Sequence, residues 1–218
     1  MLDNPFNFLP VVLTLLAFGL LPLFIVTLTS FLKIAVVMFL VRNALGIQQT
    51  PPNLVLYAIA LILTIYVSSP VLGEIAGLLQ ERPVNTQTLE GLQEAATRIK
   101  EPVKKHLTRF THPNERQFFR AATERVWPEN ARADVRDDDI VILLPAFVSS
   151  ELTRAFEIGF LIYLPFLVVD LVISNILMAM GMIMVSPTLI SIPLKLFLFV
   201  SIDGWSRLMH GLILSYGN

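Results

Sequence analysis

The chain has 218 residues, 55% of them hydrophobic and 15% charged, with a mean hydropathy of +0.69. That is too apolar for an ordinary water-soluble domain of this size, so residence in a membrane is the first inference. The net charge of -1 hides segregation: 11 of the 16 Lys and Arg lie between Arg82 and Arg136, so two apolar parts flank one hydrophilic insert. With no cysteine, a disulfide, a thiolate metal site and a Cys nucleophile are all excluded.

Met1 to Asn7 contains Asp3 and no Lys or Arg, and no small-x-small pattern closes the apolar run that follows, so that run is expected to persist rather than be cleaved. Phe8 to Leu32 is 25 residues without a charge, and the run resumes after Lys33 as far as Val41. It reads as one long helix, or as two broken near Pro22. Arg42 to Asn53 is a short polar connection in which Pro51-Pro52 forbids helix and Asn53 can cap the next one. Leu54 to Leu72 supplies 19 uncharged residues, with Pro70 and Gly73 weakening the helix end. Residues 1–72 thus form an apolar helical hairpin.

Residues 73–139 are the hydrophilic insert. Leu89, Leu92, Ala96, Ile99, Val103, Leu107 and Phe110 recur at three- and four-residue steps, one apolar helical stripe that Pro102 is expected to kink or divide. Phe118, Phe119, Val126 and Trp127 suggest a second amphipathic helix after Pro113. The acidic residues of the insert are about as numerous as the basic ones and no nucleic-acid motif accompanies them, so its charge reads as solvated surface, with no nucleic-acid partner.

Residues 140–218 form a second apolar hairpin, with helices expected over roughly 150–184 and 194–214 and a turn bracketed by Pro187 and Pro193. The fold class is therefore an all-α membrane protein with about four long hydrophobic helices and a small helical insert. The insert is too long for the positive-inside rule. Among the short segments, Arg42 places its connection in the cytoplasm and the insert outside.

Met178, Met180, Met182 and Met184 recur at every second position around Gly181, a spacing that shares one side of an extended segment but not of a helix. Unbranched, polarizable side chains of this kind suit a deformable seal, and equally suit gap-filling in an apolar core. Glu151, Arg154 and Glu157 stand three residues apart, so Arg154 can reach either carboxylate on a helix. The remaining acid, like Asp170 and Asp203, needs a partner at membrane depth. Lys195 or the Arg154 of a neighbouring subunit is a candidate counter-ion for Glu157, and Asp203-Gly204 also reads as a turn. Lys33 is expected to snorkel toward the Arg42 side. His106, His112 and His210 lack metal-ligand spacing, and no phosphate loop, nucleophile elbow or H-E-x-x-H is present. No cofactor, metal or enzymatic activity is expected.

Pro145-Ala-Phe-Val-Ser-Ser-Glu-Leu-Thr-Arg-Ala-Phe-Glu-Ile-Gly-Phe160 and Ile192-Pro-Leu-Lys-Leu-Phe-Leu-Phe-Val-Ser-Ile-Asp-Gly-Trp205 resemble two hallmarks of the FliP/SctR export-gate family of type III secretion systems. Thr29-Ser-Phe-Leu-Lys33 and Arg42-Asn-Ala-Leu-Gly-Ile-Gln-Gln-Thr-Pro-Pro-Asn53 are similar to it as well. The closing Arg207-Leu-Met-His-Gly-Leu-Ile-Leu-Ser-Tyr-Gly217 resembles the virulence injectisome branch more than the flagellar one. The resemblance implies a fivefold ring of this chain in the bacterial inner membrane. Its implied partners are the smaller Q/S and R/T gate subunits, other export-apparatus membrane proteins, membrane lipid and the unfolded proteins that pass through. It also implies that the Met178 to Met184 stretch is the constriction of the gate, and that some apolar helices pack on protein instead of lipid. A different class, a small ion or proton carrier using Asp170, Lys195 and Asp203 as a relay, is the alternative.

Overall fold

The computed structural model describes residues 8–81, 88–132 and 135–217; the N-terminal tail with Asp3, and Arg82 at the start of the basic cluster, lie outside them. Among the described residues the chain is all helix and turn. The first apolar run gives α1 (Phe8–Leu28) and α2 (Phe31–Ala44), and α3 spans Asn53–Glu81. The insert supplies α4 (Leu89–Phe110), α5 (Pro113–Val126) and the single turn α6 (Glu129–Arg132). Then come α7 (Ile140–Ala179), α8 (Thr188–Ser201) and α9 (Gly204–Leu214). By length and apolar character α3 and α7 can each cross a membrane, and Pro22–Leu28 of α1 with α2, and α8 with α9, can each do so as a broken span. This gives up to four candidate spans, in line with the expected all-α membrane protein. At 1.5 Å per residue the 40 residues of α7 reach about 60 Å, twice the roughly 30 Å hydrocarbon core, so α7 is longer than a single crossing requires.

Several boundaries differ from expectation, and at four of them proline is weaker as a breaker than it looks in the sequence. α1 runs through Pro22 and ends at Leu28. The break falls at Thr29-Ser30, where the Thr27 and Thr29 hydroxyls donate to the carbonyls of Leu23 and Ile25 in competition with the helix. α3 runs through Pro70 to Glu81, α4 is undivided at Pro102, and Pro193 lies inside α8. A proline removes one backbone donor and can bend a helix without ending it. α7 begins at Ile140, ten residues ahead of expectation. Asn53 does not cap α3: the Pro52 carbonyl accepts from the Val55 and Leu56 N–H groups, while Asn53 Oδ1 accepts from Arg42 at 2.5 Å.

Contacts cluster into two compact units, Met1–Ser30 with Ser68–Glu151, and Phe31–Val67 with Leu152–Asn218. Hydropathy divides the chain at 72 and 139 instead, because hydropathy registers solvent and contacts register packing. In the first unit Leu107, Leu143 and Phe147 are fully buried, with Leu28, Val103, Phe110 and Val148 packed around them. This is the C-terminal half of the α4 stripe; the side chains of Leu89 and Leu92 lie outside the described set. Asp137, Asp138 and Asp139 precede α7, where negative charge meets the helix dipole favourably. Lys104 Nζ reaches Asp138 at 2.6 Å and Arg120 reaches Asp137 at 3.4 Å, fastening α4 and α5 to that entry. Their hydrogen bond raises the Lys104 pKa and lowers that of Asp138. In the second unit Ile34, Val37, Met38 and Val41 make the buried face of α2 at helical spacing, with Leu56, Ala60 and Leu63 of α3 buried likewise.

Candidate functional site

α7 ends in a motif that fixes the methionine loop. Gly181 adopts φ +72, the Met182 N–H donates to the Leu177 carbonyl at 2.9 Å, and the Gly181 N–H donates to the Met178 carbonyl at 3.0 Å. This paired arrangement closes the last turn and needs a left-handed residue that glycine adopts without strain. A Cβ at Gly181 would meet nothing within 4 Å, so the requirement is conformational. Met178 sits on the last turn of α7 while Met180, Met182 and Met184 follow in the loop to α8, so the i+2 spacing spans a helix end and a turn rather than one extended segment. All four side chains are exposed, from 39% at Met182 to 101% at Met184, and Ile183 between them is 86% exposed. They fill no core within this chain.

Two turns before Met178, Asp170 Oδ2 accepts from Lys195 Nζ at 2.6 Å, and the same ammonium donates to the Ala44 carbonyl at 3.1 Å. Lys195 is buried and Asp170 half-buried. One cation therefore joins α8 to α7 and to the C-terminal end of α2, where unsatisfied carbonyls favour positive charge. Within the chain the counter-ion of Lys195 is thus Asp170 and not Glu157. Glu157 lies on an exposed face of α7, with no ion-pair partner among the described residues. Glu151 is fully buried and Arg154 partly so. Asp203 has φ 53 and forms the α8 to α9 turn, where the helix axes change direction by 62°, in keeping with the Asp203-Gly204 turn reading. Among the described residues it makes no direct hydrogen bond or ion pair with Asp170 or Lys195.

Two features escaped the sequence reading. Lys33 does not snorkel: it is 1% exposed, and its ammonium lies 3.4 Å from the centroid of the Tyr216 ring, a cation–π contact from the far end of the chain. Gly159, inside the first hallmark segment, lets α7 touch α2, because a Cβ there would fall 2.3 Å from Leu40 Cδ1 and 3.1 Å from Leu40 Cβ. An aromatic near the C-terminus and a glycine in an otherwise strong helix were the available signals. Of the histidines, His106 packs edge-on to Phe110 at 5.1 Å and lies 6.4 Å from Phe147. Burial, and secondarily the Arg109 charge, lower its pKa from 6.5. His112 caps α5 through its ring.

An all-α chain with long apolar helices, a charge-pinned helical hairpin and an exposed methionine turn belongs to the class of helical membrane proteins. Comparison with known proteins makes this specific. Residues 12–212 match the FliP family. "Probable translocation protein y4yL" of Sinorhizobium fredii is 57% identical over 211 residues, covering 95% of each chain. "Yop proteins translocation protein R" of Yersinia pestis is 52% identical over 207 residues, covering 95% of this chain and 94% of its own. "Virulence protein YscR" of Salmonella typhimurium is 43% identical over 215 residues, covering 98% of each. The chain belongs to the FliP family, on its type III injectisome side.

Proposed function

We propose that this chain is a non-enzymatic core subunit of the type III protein-export gate. Copies of it, five by the family resemblance, associate with the Q/S and R/T partner subunits in the bacterial inner membrane around a conduit for unfolded proteins. Residues 73–139 face the periplasm. The loop carrying Met178, Met180, Met182 and Met184 is the constriction, a ring of compliant side chains that closes in the absence of substrate and yields around a passing chain. The observation that carries this reading is the exposure of all four methionines within a chain of this family. Groups that would be core filler in the folded chain have no core to fill, and several copies of one loop can supply the missing neighbours. The Asp170–Lys195 pair gives the loop a firm base, since it ties together the two helices that the loop connects.

Native mass spectrometry of the detergent-extracted protein with whatever co-purifies tests the assembly. Five copies with smaller membrane subunits are expected. A monomer or dimer that transports ions unaided would overturn the reading in favour of a carrier.

A further inference from the structure

The first compact unit holds a cleft of about 410 Å³ between α1, α4 and α7, walled by Leu23, Phe24, Ile99, Val103, Ile140 and Leu144. Its size falls within the roughly 300–1,000 Å³ of small-molecule sites. A single charged residue lines it, Lys100, an exposed residue of α4, so the charge stands at the mouth of an apolar slot. One turn further along α4, Lys104 is occupied by Asp138 at 2.6 Å. Lys100 has no ion-pair partner among the described residues. An open apolar groove with one such cation at its rim matches a ligand with a long hydrocarbon portion ending in an anion. For a chain with membrane-crossing helices such a ligand is always at hand in the surrounding bilayer.

We infer that this cleft binds one acyl chain of an anionic phospholipid, with the lipid phosphate held by Lys100. The apolar walls supply contact for the chain by removing it from water. Lys100 supplies the preference for a headgroup of net negative charge over a zwitterionic one. The inference rests on residence of the chain in the membrane and on α4 of the periplasm-facing insert meeting the outer leaflet where it packs beside α1 and α7. A lipid held here would be a structural ligand wedged among α1, α4 and α7, distinct from the bulk lipid around α7.

The test uses the full-length protein with its co-purifying subunits in nanodiscs containing phosphatidylglycerol that carries a photoactivatable group in one acyl chain, with labelled sites mapped by peptide mass spectrometry. Leu28, Ile99 and Leu144 should be labelled several-fold more than the Leu164 to Val172 face of α7. The same group on phosphatidylcholine should label them several-fold less. Lys100→Glu should abolish the difference between the two lipids and Lys100→Arg should keep it, while inorganic phosphate should not displace the label. Leu144→Trp, which narrows the slot from α7 and leaves the α4 cation in place, should lower labelling by both lipids. Equal labelling of cleft and α7 face, as expected were the cleft filled by another protein segment, would overturn the inference. So would a phosphatidylglycerol preference that survives Lys100→Glu.

Discussion

Lys195 carries its charge into a buried position and finds two acceptors of different kinds there, the Asp170 carboxylate and the Ala44 carbonyl. Removing one partner of such a pair leaves the other uncompensated, a loss of about 3–5 kcal/mol for fully buried pairs and less where one side meets solvent. Asp170→Asn should therefore lower the thermal midpoint of the solubilised protein more than Lys195→Met does, because it strands the more buried charge of the two. The double variant should recover part of the loss, and additive losses would show that the two are not coupled. His106 gives a second residue-scale expectation. Folding favours its neutral form, so its contribution is fully present above the ordinary value near 6.5 and is lost as pH falls through the lowered folded value. The thermal midpoint should drop between pH 7.5 and 5.5 in the wild type, and His106→Leu should flatten that part of the profile. The sequence named Lys195 and Asp170 as charges needing partners but could not pair them, since 25 positions separate them and the turn between was undefined. It missed the Lys33–Tyr216 contact because 183 positions separate the two and nothing local distinguishes a lysine held over a ring from a snorkelling one.

At the scale of elements, the apolar runs were legible because hydropathy over about 20 residues needs no tertiary knowledge. Their ends were not, since the prolines at 22, 70, 102 and 193 look like breakers yet sit inside helices. The actual stops are subtler: hydroxyls before Ser30, a left-handed Gly181, a left-handed Asp203. The insert was read more closely, because the α4 stripe and the Pro113 start follow rules of local periodicity and capping. Helix contact by small residues leaves no periodic signature, and Gly159 illustrates it. Gly159→Ala should press on Leu40 and destabilise the α2 to α7 contact by about 1–3 kcal/mol, read as lowered abundance in the membrane and a lowered thermal midpoint. Leu40→Ala in the same chain should restore part of it. No effect of Gly159→Ala on either readout would mean that the two helices separate in the assembled protein.

For the whole molecule, residues 73–139 are expected on the periplasmic side. Cysteines placed at the exposed Asn114 and Glu129 should react with a membrane-impermeant reagent in cells whose outer membrane has been permeabilised, and reaction only after inner-membrane lysis would invert the topology. The methionine pattern was visible in the sequence as an i+2 repeat. Its exposure was not, because the side chains of a loop acquire their surroundings only when the chain, and then the assembly, is built. The most direct measurement is the ion permeability of inner membranes carrying a variant with Met178, Met180, Met182 and Met184 changed to Ala, alongside its assembly state. Removing packing atoms from a seal should leave assembly intact and let ions or small solutes leak. Disassembly or loss of the protein from the membrane would make the methionines structural filler at subunit contacts, and normal assembly with an impermeable membrane and normal export would contradict the constriction outright.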